Sequence, residues 1–324
     1  MAAPILLTAL RMLQGLSIGG ECTTAFIFLA ERASPERRGF ASALASSSIT
    51  VGILLGSATG AAFSAVLSPE ALVEWGWRVP FILGVVVGLA GFALRRRADA
   101  EPAVVAPAVV APPIRSPLAE TLREHPALLA KLAGLAAFNA VGFFLVFLYV
   151  ASWLQLADGV APARALGVTT LALLVLIPVE LGAGWLSDRI GRKGPMLAAI
   201  GLCFVFAYPL FSLMHHDNAT MVLLAELALV VLVGIPLGIQ AALMVEATPA
   251  HVRCTAVALG NNTAFGIIGG LTPLAATWLV QRVGNDLSPA FLIMGAAAIS
   301  FTALLLFRDL SPAATRVAQS GTRR

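Results

Sequence analysis

Charge is scarce in this sequence. Only 12% of its 324 residues are Asp, Glu, Lys or Arg, against roughly 25% in soluble domains. By contrast 59% are hydrophobic, with a mean hydropathy of +0.90. A water-soluble fold cannot hide that much apolar surface. Cysteine is rarer still: Cys22, Cys203 and Cys254 are far apart and have no CxxC spacing. That pattern predicts free, buried thiols, with no disulfide and no metal held by them. No HExxH and no His/Asp cluster lies within an apolar stretch, which argues against an integral membrane enzyme. No cofactor and no metal are expected. Met1 to Leu10 lack a basic region leading into a short apolar core and cleavage site, so a signal peptide is not expected.

What is present are apolar blocks long enough to cross a hydrocarbon layer of roughly 30 Å as helices. Nine such segments are predicted, at 4–31, 39–67, 77–94, 127–153, 164–187, 194–214, 219–246, 254–281 and 288–307. The expected fold is therefore all-α and polytopic, with the lipid bilayer as solvent. Between the third and fourth segments, Arg95 to Pro126 opens with three arginines and a Pro/Ala/Val run that reads as a linker. The net charge of +4 does not call for nucleic acid, because Lys and Arg fall in short clusters between apolar blocks. They read as topology signals. Placing Arg32, Arg37 and Arg38 inside puts every basic residue inside except Arg11, Arg78, Arg164 and Arg282. The same alternation puts the amino terminus outside and the carboxy terminus inside.

The two halves are related. Glu31, Arg38, Ala41, Ala43 and Leu44 recur as Glu246, Arg253, Ala256, Ala258 and Leu259, and Gly52 and Gly56 are followed at nearly the same offset by Gly266 and Gly270. Helices one to three thus correspond to helices seven to nine. Helices four to six have no upstream counterpart, and the expectation is of a chain lacking its first three helices. The domains expected are a three-helix remnant of an amino-terminal bundle (1–97), a cytoplasmic linker (98–126), a six-helix carboxy-terminal bundle (127–310) and a tail (311–324).

Three stretches carry a family resemblance. Arg11-x-x-Gln14-Gly15-x-x-x-Gly19-Gly20-Glu21 followed by Glu31-Arg32-Ala33-Ser34-Pro35-Glu36-Arg37-Arg38-Gly39 resembles the fourth helix and following loop of major facilitator transporters. Gly184-x-x-x-Asp188-Arg189-x-Gly191-Arg192-Lys193 is similar to that family's signature loop between its eighth and ninth helices. Trp75 to Phe81 resembles the entry to the sixth helix in the metabolite:proton symporter branch. The resemblance implies two six-helix bundles rocking about a central cavity, of which this chain holds helices four to twelve. It also implies that Asp188 faces the helix beginning near Gly39, and that the signature arginine pairs with the acid matching Glu246.

The residues themselves suggest roles. Asp188 ends a spanning helix where it can meet the positive amino-terminal end of a neighbour, with Arg189, Arg192 and Lys193 holding the loop in the membrane interface. Together with Glu31, Arg38, Glu246 and Arg253, these form a candidate inner gate; a basic cluster that only fixes topology is the alternative. Arg11, Gln14 and Glu21 share a narrow helical arc and are expected to line the bundle interior or a wet cavity, since an ionisable group at mid-bilayer costs at least ~2.5 kcal/mol. A buried structural pair is the alternative. The repeat equates Arg11 with Glu226, which points to an outer ion pair or proton-linked switch, the alternative being a Glu226 solvated near the surface. Glu180 lies two helical turns into the membrane from Asp188 and suits proton exchange, or else ties helices together. Asn139 and Gln240 are candidate substrate contacts or interhelical ties. Glycines at four-residue spacing (Gly52, Gly56, Gly60; Gly266, Gly270) predict close helix packing, and Pro236 and Pro273 predict kinks. His215, His216 and Asp217 read as a solvated turn.

The leading expectation is proton-coupled symport of a small organic metabolite, a carboxylate or a zwitterionic osmolyte, in the cytoplasmic membrane. The expected partners are that small-molecule substrate, protons and lipid, without nucleic acid, and a monomer is favoured. The second expectation is a transport-incompetent chain, because Glu31 and Arg38 would lose partners along with the missing helices.

Overall fold

The computed structural model of the chain describes residues 2–100, 116–216, 218–308, 312 and 314, and among them every regular element is helical. In chain order these are α1 (Ala2–Arg32), α2 (Arg38–Val66), α3 (Pro69–Glu74), α4 (Val79–Ala100), α5 (Pro117–Glu124), α6 (Pro126–Phe143), α7 (Val150–Ala157), α8 (Pro162–Ile190), α9 (Lys193–Met214), α10 (Ala219–Ala247), α11 (Arg253–Asn262), α12 (Gly270–Val283) and α13 (Pro289–Leu305). A π-helical stretch Phe144–Tyr149 joins α6 to α7, and another, Thr263–Gly269, joins α11 to α12. Each pair is thereby one continuous rod.

Eight rods are long and apolar enough to cross a membrane, namely α1, α2, α4, α6–α7, α8, α9, α10 and α11–α12. The ninth expected segment is α13, whose 17 residues fall just short of the roughly 20 a perpendicular span needs. Proline sets the starts: Pro69, Pro117, Pro126, Pro162 and Pro289 stand in first turns, where the missing N–H costs nothing. Pro273 acts differently. It cannot donate to the carbonyl four residues back, Gly269, and the π-helical stretch ends at that residue.

Arg95 to Arg97, expected to open the linker, instead continue α4 to Ala100. Ala and Arg favour helix, and the next proline is Pro102. The Pro/Ala/Val run of 101–115 and nearly all of the tail lie outside the described residues.

The chain divides into two compact units, one comprising Met1–Ser48 with Arg115–Arg324 and the other Ile49–Ile114. The smaller unit is organised around Trp75 to Phe81. Ser68 caps α3 by accepting from the Ala71 N–H at 3.2 Å. Trp77 meets Phe81 edge to face, and the Arg78 guanidinium lies 4.5 Å over the Trp77 ring while donating to the Glu74 carbonyl. Gly52, Gly56 and Gly60 have no neighbour in their own unit that an added Cβ would meet.

In the larger unit α6 and α10 hold the core, each with a run of fully buried small or branched residues. Lipid tails are as apolar as Leu, so close packing and interhelical hydrogen bonds must supply the cohesion. Ser300 on α13 provides such a tie, accepting from the Phe138 N–H at 2.8 Å and donating to the Gly134 carbonyl at 2.6 Å. Gly238 lets α10 lie against α8, since a Cβ there would collide with the Glu180 backbone. The expected glycine contact is absent at Gly266, which has open space beside it, and Gly270 meets only the Phe265 carbonyl. The free thiols divide: Cys203 is buried, Cys22 is half-buried, and Cys254, expected buried, is exposed.

His215 is not a solvated turn residue. Its ring packs 4.8 Å from Trp153 and its Nδ1 pairs with Asp158, while Trp153 donates to the Asp286 carbonyl at 2.7 Å. His216 accepts from the Asn218 N–H; Asp217 lies outside the described residues.

Candidate functional site

The site is built from the junction of α8 and α9. Helix α8 stops at Ile190 because Gly191 takes φ +97°, a conformation that only glycine adopts freely. The reversal swings Arg192 back beneath the helix it has just left. Its Nη1 donates to Asp188 Oδ1 at 2.6 Å and to Ser187 Oγ at 2.9 Å. Its Nη2 and Nε donate to the two oxygens of Glu246 at 3.1 and 3.4 Å, a forked pairing. The Arg192 side chain is 0% exposed. Burial alone would lower its pKa, but Glu246 and then Asp188 outweigh that penalty and hold it above the usual value. Arg192 therefore does not anchor the loop in the interface as expected. Two carboxylates converge here, and their charge keeps the guanidinium inside.

Asp188 also receives hydrogen bonds from the N–H groups of Gly39 at 2.8 Å and Phe40 at 2.9 Å. These are first-turn donors of α2, which have no intrahelical acceptor, and a carboxylate there meets the positive end of the helix dipole. The approach requires bare backbone: a Cβ on Gly39 would sit 2.5 Å from the Gly184 carbonyl and from Arg192 Nη1, and one on Gly184 would sit 2.5 Å from Ala43 Cβ. Lys193 turns the other way and donates to the Leu305 and Phe307 carbonyls, at 3.0 and 2.9 Å, at the end of α13. Arg189 is exposed and stacks 3.7 Å over Trp185, and both line a shallow pocket with Glu36, Arg37, Phe40 and Asp188.

A second contact lies on the neighbouring helices. Arg253 Nη1 reaches Glu31 Oε1 at 2.5 Å, steadied by its own Nε bond to the Thr248 carbonyl. Glu31, expected to be without a partner, thus has one. Arg38 is half-buried, and its Nε has no hydrogen-bond partner among the described residues. Further along α1, Asn262 donates to the Gly19 carbonyl at 2.9 Å.

Deeper in, Ser46 Oγ donates to Glu180 Oε1 at 2.6 Å, and Glu180 is 1% exposed. Asn139, Gln240 and Asn261 form one amide chain: Asn139 Nδ2 donates to Gln240 Oε1, and Gln240 Nε2 to Asn261 Oδ1 at 3.1 Å. The remaining Asn139 oxygen is buried without a partner among the described residues. Glu226, on α10, is completely buried rather than solvated, and neither of its oxygens has a hydrogen-bond partner among the described residues. The Arg11 side chain lies outside the described residues, so the expected pairing has no geometry here. Gln14 and Glu21 are exposed, while α1 packs mainly through its later half, at Gly19, Thr23, Ile27 and Ala30. Asn261 and Asn262 are among the expected interior polar positions, whereas Ser46 and the linkage of the three amides were not anticipated. Hydroxyls and amides one turn apart on apolar helices give no sign of which neighbour they will meet.

Residues 1–273 match the model of the Major Facilitator Superfamily. The chain is 30% identical over 95% of its length to the glycine betaine/proline/ectoine/pipecolic acid transporter OusA of Dickeya dadantii, and 32% identical over 95% to the ectoine/proline transporter ProP of Corynebacterium glutamicum. It is 30% identical over 91% to the citrate-proton symporter of Klebsiella pneumoniae. The chain spans 63%, 64% and 66% of these relatives' own lengths, just under two thirds. Among solved structures, it resembles the major facilitator proton:xylose symporter XylE with a TM-score of 0.65 at 17% identity, covering 86% of this chain and 65% of that one. That likeness concerns the fold.

Proposed function

The chain belongs to the Major Facilitator Superfamily, and from that premise we propose that it forms the larger part of a proton-coupled symporter for a small zwitterionic osmolyte or carboxylate. The observation that carries this reading is the latch at Asp188, where one carboxylate holds the start of α2 by two backbone hydrogen bonds and is itself held by Arg192 and Glu246. Such a contact between helices from the two related halves has to break for a cavity to open on that side. In this reading the latch and the Glu31–Arg253 pair face the cytoplasm of a bacterial inner membrane, the carboxy terminus is inside, and the chain works as a monomer.

The remaining polar positions then take distinct parts. Asn139 and Gln240, joined across α6 and α10, contact the substrate; the buried oxygen of Asn139 is an acceptor ready for an ammonium or amide donor. Glu180 and Glu226 carry protons, Glu226 exchanging partners with Arg11 as the halves rock. The exposure of Gln14 and Glu21 favours a second reading, in which this chain alone binds partners without concentrating a solute. Reconstitution in liposomes with an imposed proton gradient tests both. Protonophore-sensitive accumulation of radiolabelled proline, glycine betaine, ectoine or citrate supports the first, and its absence from a well-folded preparation supports the second.

A further inference from the structure

Glu120, His125 and His251 stand apart from the latch and take no part in it. Their ligand atoms all lie within 4.8 Å of one another. His251 Nε2 is 3.3 Å from Glu120 Oε1, and the two imidazole rings are 6.1 Å apart at 63°. We propose that these three residues bind one divalent transition-metal ion of the zinc type and so clasp α5 to the turn between α10 and α11.

The donor set is two imidazole nitrogens and one carboxylate oxygen, which suits zinc and its neighbours and not magnesium or calcium. In a tetrahedral site with bonds of about 2.0–2.1 Å, ligand atoms stand roughly 3.4 Å apart. The Glu120–His251 edge already has that length, and only His125 has to close. All three sit on anchored backbone. His125 is the corner between α5 and α6, donating to the Thr121 carbonyl and accepting from Leu129 N–H. His251 lies in a turn closed by the Val252 N–H to Pro249 carbonyl bond at 3.2 Å. Glu120 is in the first turn of α5, itself fixed by Ser116.

A plain ion pair would explain His251 and Glu120 but leaves His125 without a purpose. The nearby Arg253 does not fill the space, because its guanidinium is committed to Glu31 and the Thr248 carbonyl. The side chain of His251 is 55% exposed and that of Glu120 is 23% exposed, so an ion can enter and a water can complete the fourth position. Arg253 begins α11 two residues beyond His251. An occupied site therefore fixes the turn from which Arg253 reaches Glu31.

The test is a cobalt titration of the purified full chain, carrying no polyhistidine tag and stripped with a chelator. Tetrahedral Co2+ has intense visible bands that report its ligands. The expected result is one Co2+ per chain, displaced by Zn2+, with affinity falling roughly tenfold or more in H125A and in H251A, and unchanged in H215A/H216A, which removes the only other histidines. Zn2+ should raise the melting temperature of the parent and not of H251A, whose exposed position leaves metal-free melting unaltered. No visible bands up to about 1 mM Co2+, an unaltered titration in the H125A/H251A double variant, or loss of binding in H215A/H216A would each overturn the proposal.

Discussion

Glu31 and Arg253 meet at 2.5 Å across most of the length of the chain, and each is half of a Glu–Arg set that the internal repeat places twice. The other members, Glu246 and Arg38, do not mirror them: Glu246 is taken by Arg192, and Arg38 Nε has no partner among the described residues. Among the described residues the repeat is thus preserved in sequence and differs in pairing, Glu246 meeting Arg192 while Glu31 meets Arg253.

Both side chains of that pair are partly exposed, which limits its static contribution to about 0–1 kcal/mol. The single reversals Glu31→Arg and Arg253→Glu are expected to change the melting temperature in detergent little, while each slows uptake. The double reversal should restore at least half of the lost rate. Equal defects in the single and double variants would remove the pair from the proposed gate.

Arg192→Met leaves Asp188 and Glu246 buried and facing each other. Breaking a buried charge network costs about 3–5 kcal/mol, so this variant is expected to lose most of its thermal stability. Arg192→Lys, which keeps the charge but cannot fork, should fall between the two in a melting curve.

Gly39→Val introduces a branched side chain where even a Cβ stands 2.5 Å from the Gly184 carbonyl. The latch should be forced apart. Ala43, fully buried beneath it, should become reactive to N-ethylmaleimide when changed to Cys in a background lacking the three native cysteines, and remain unreactive when Gly39 is intact.

Glu226→Gln keeps the shape of a buried carboxyl and removes its capacity to carry a proton. The melting temperature should stay within a few degrees of the parent's, while proton-driven accumulation falls by an order of magnitude or more and counterflow exchange of substrate persists. Loss of both activities together would assign Glu226 to substrate binding.

Gln240→Leu breaks the amide chain between α6 and α11. The expected effect is a KM raised several-fold with a smaller change in kcat. Asn261→Ala, which removes only the end of the chain, should move KM less. A pure loss of folded protein in both would mark the chain as an interhelical tie, worth about 0.6–2 kcal/mol per bond.

The spanning architecture was legible in the sequence because lipid imposes it locally. Lys193–Met214, for example, is a single apolar block with a basic residue at its start, and the helix occupies those limits. The pairing of Asp188 with the start of α2 was legible only through the family resemblance. The pairing of the signature arginine with Glu246 was likewise implied by the resemblance, whereas the complete burial of Arg192 was not legible, since a lysine- and arginine-rich loop reads as an interfacial anchor. Nor was the grouping of Glu120, His125 and His251, whose members sit in a linker and a distant turn. Spacing along a chain reports ligands close in sequence and not side chains brought together by folding.

The widened stretch at Thr263–Gly269 places one extra residue within a single rod. Substitutions along Arg253–Val283 must therefore be interpreted in two phases, with the angular count restarted at Gly270. Positions before and after the bulge that look coplanar on a helical wheel point in different directions, so Asn262, which meets Gly19 of α1, and Trp278 belong to separate angular counts.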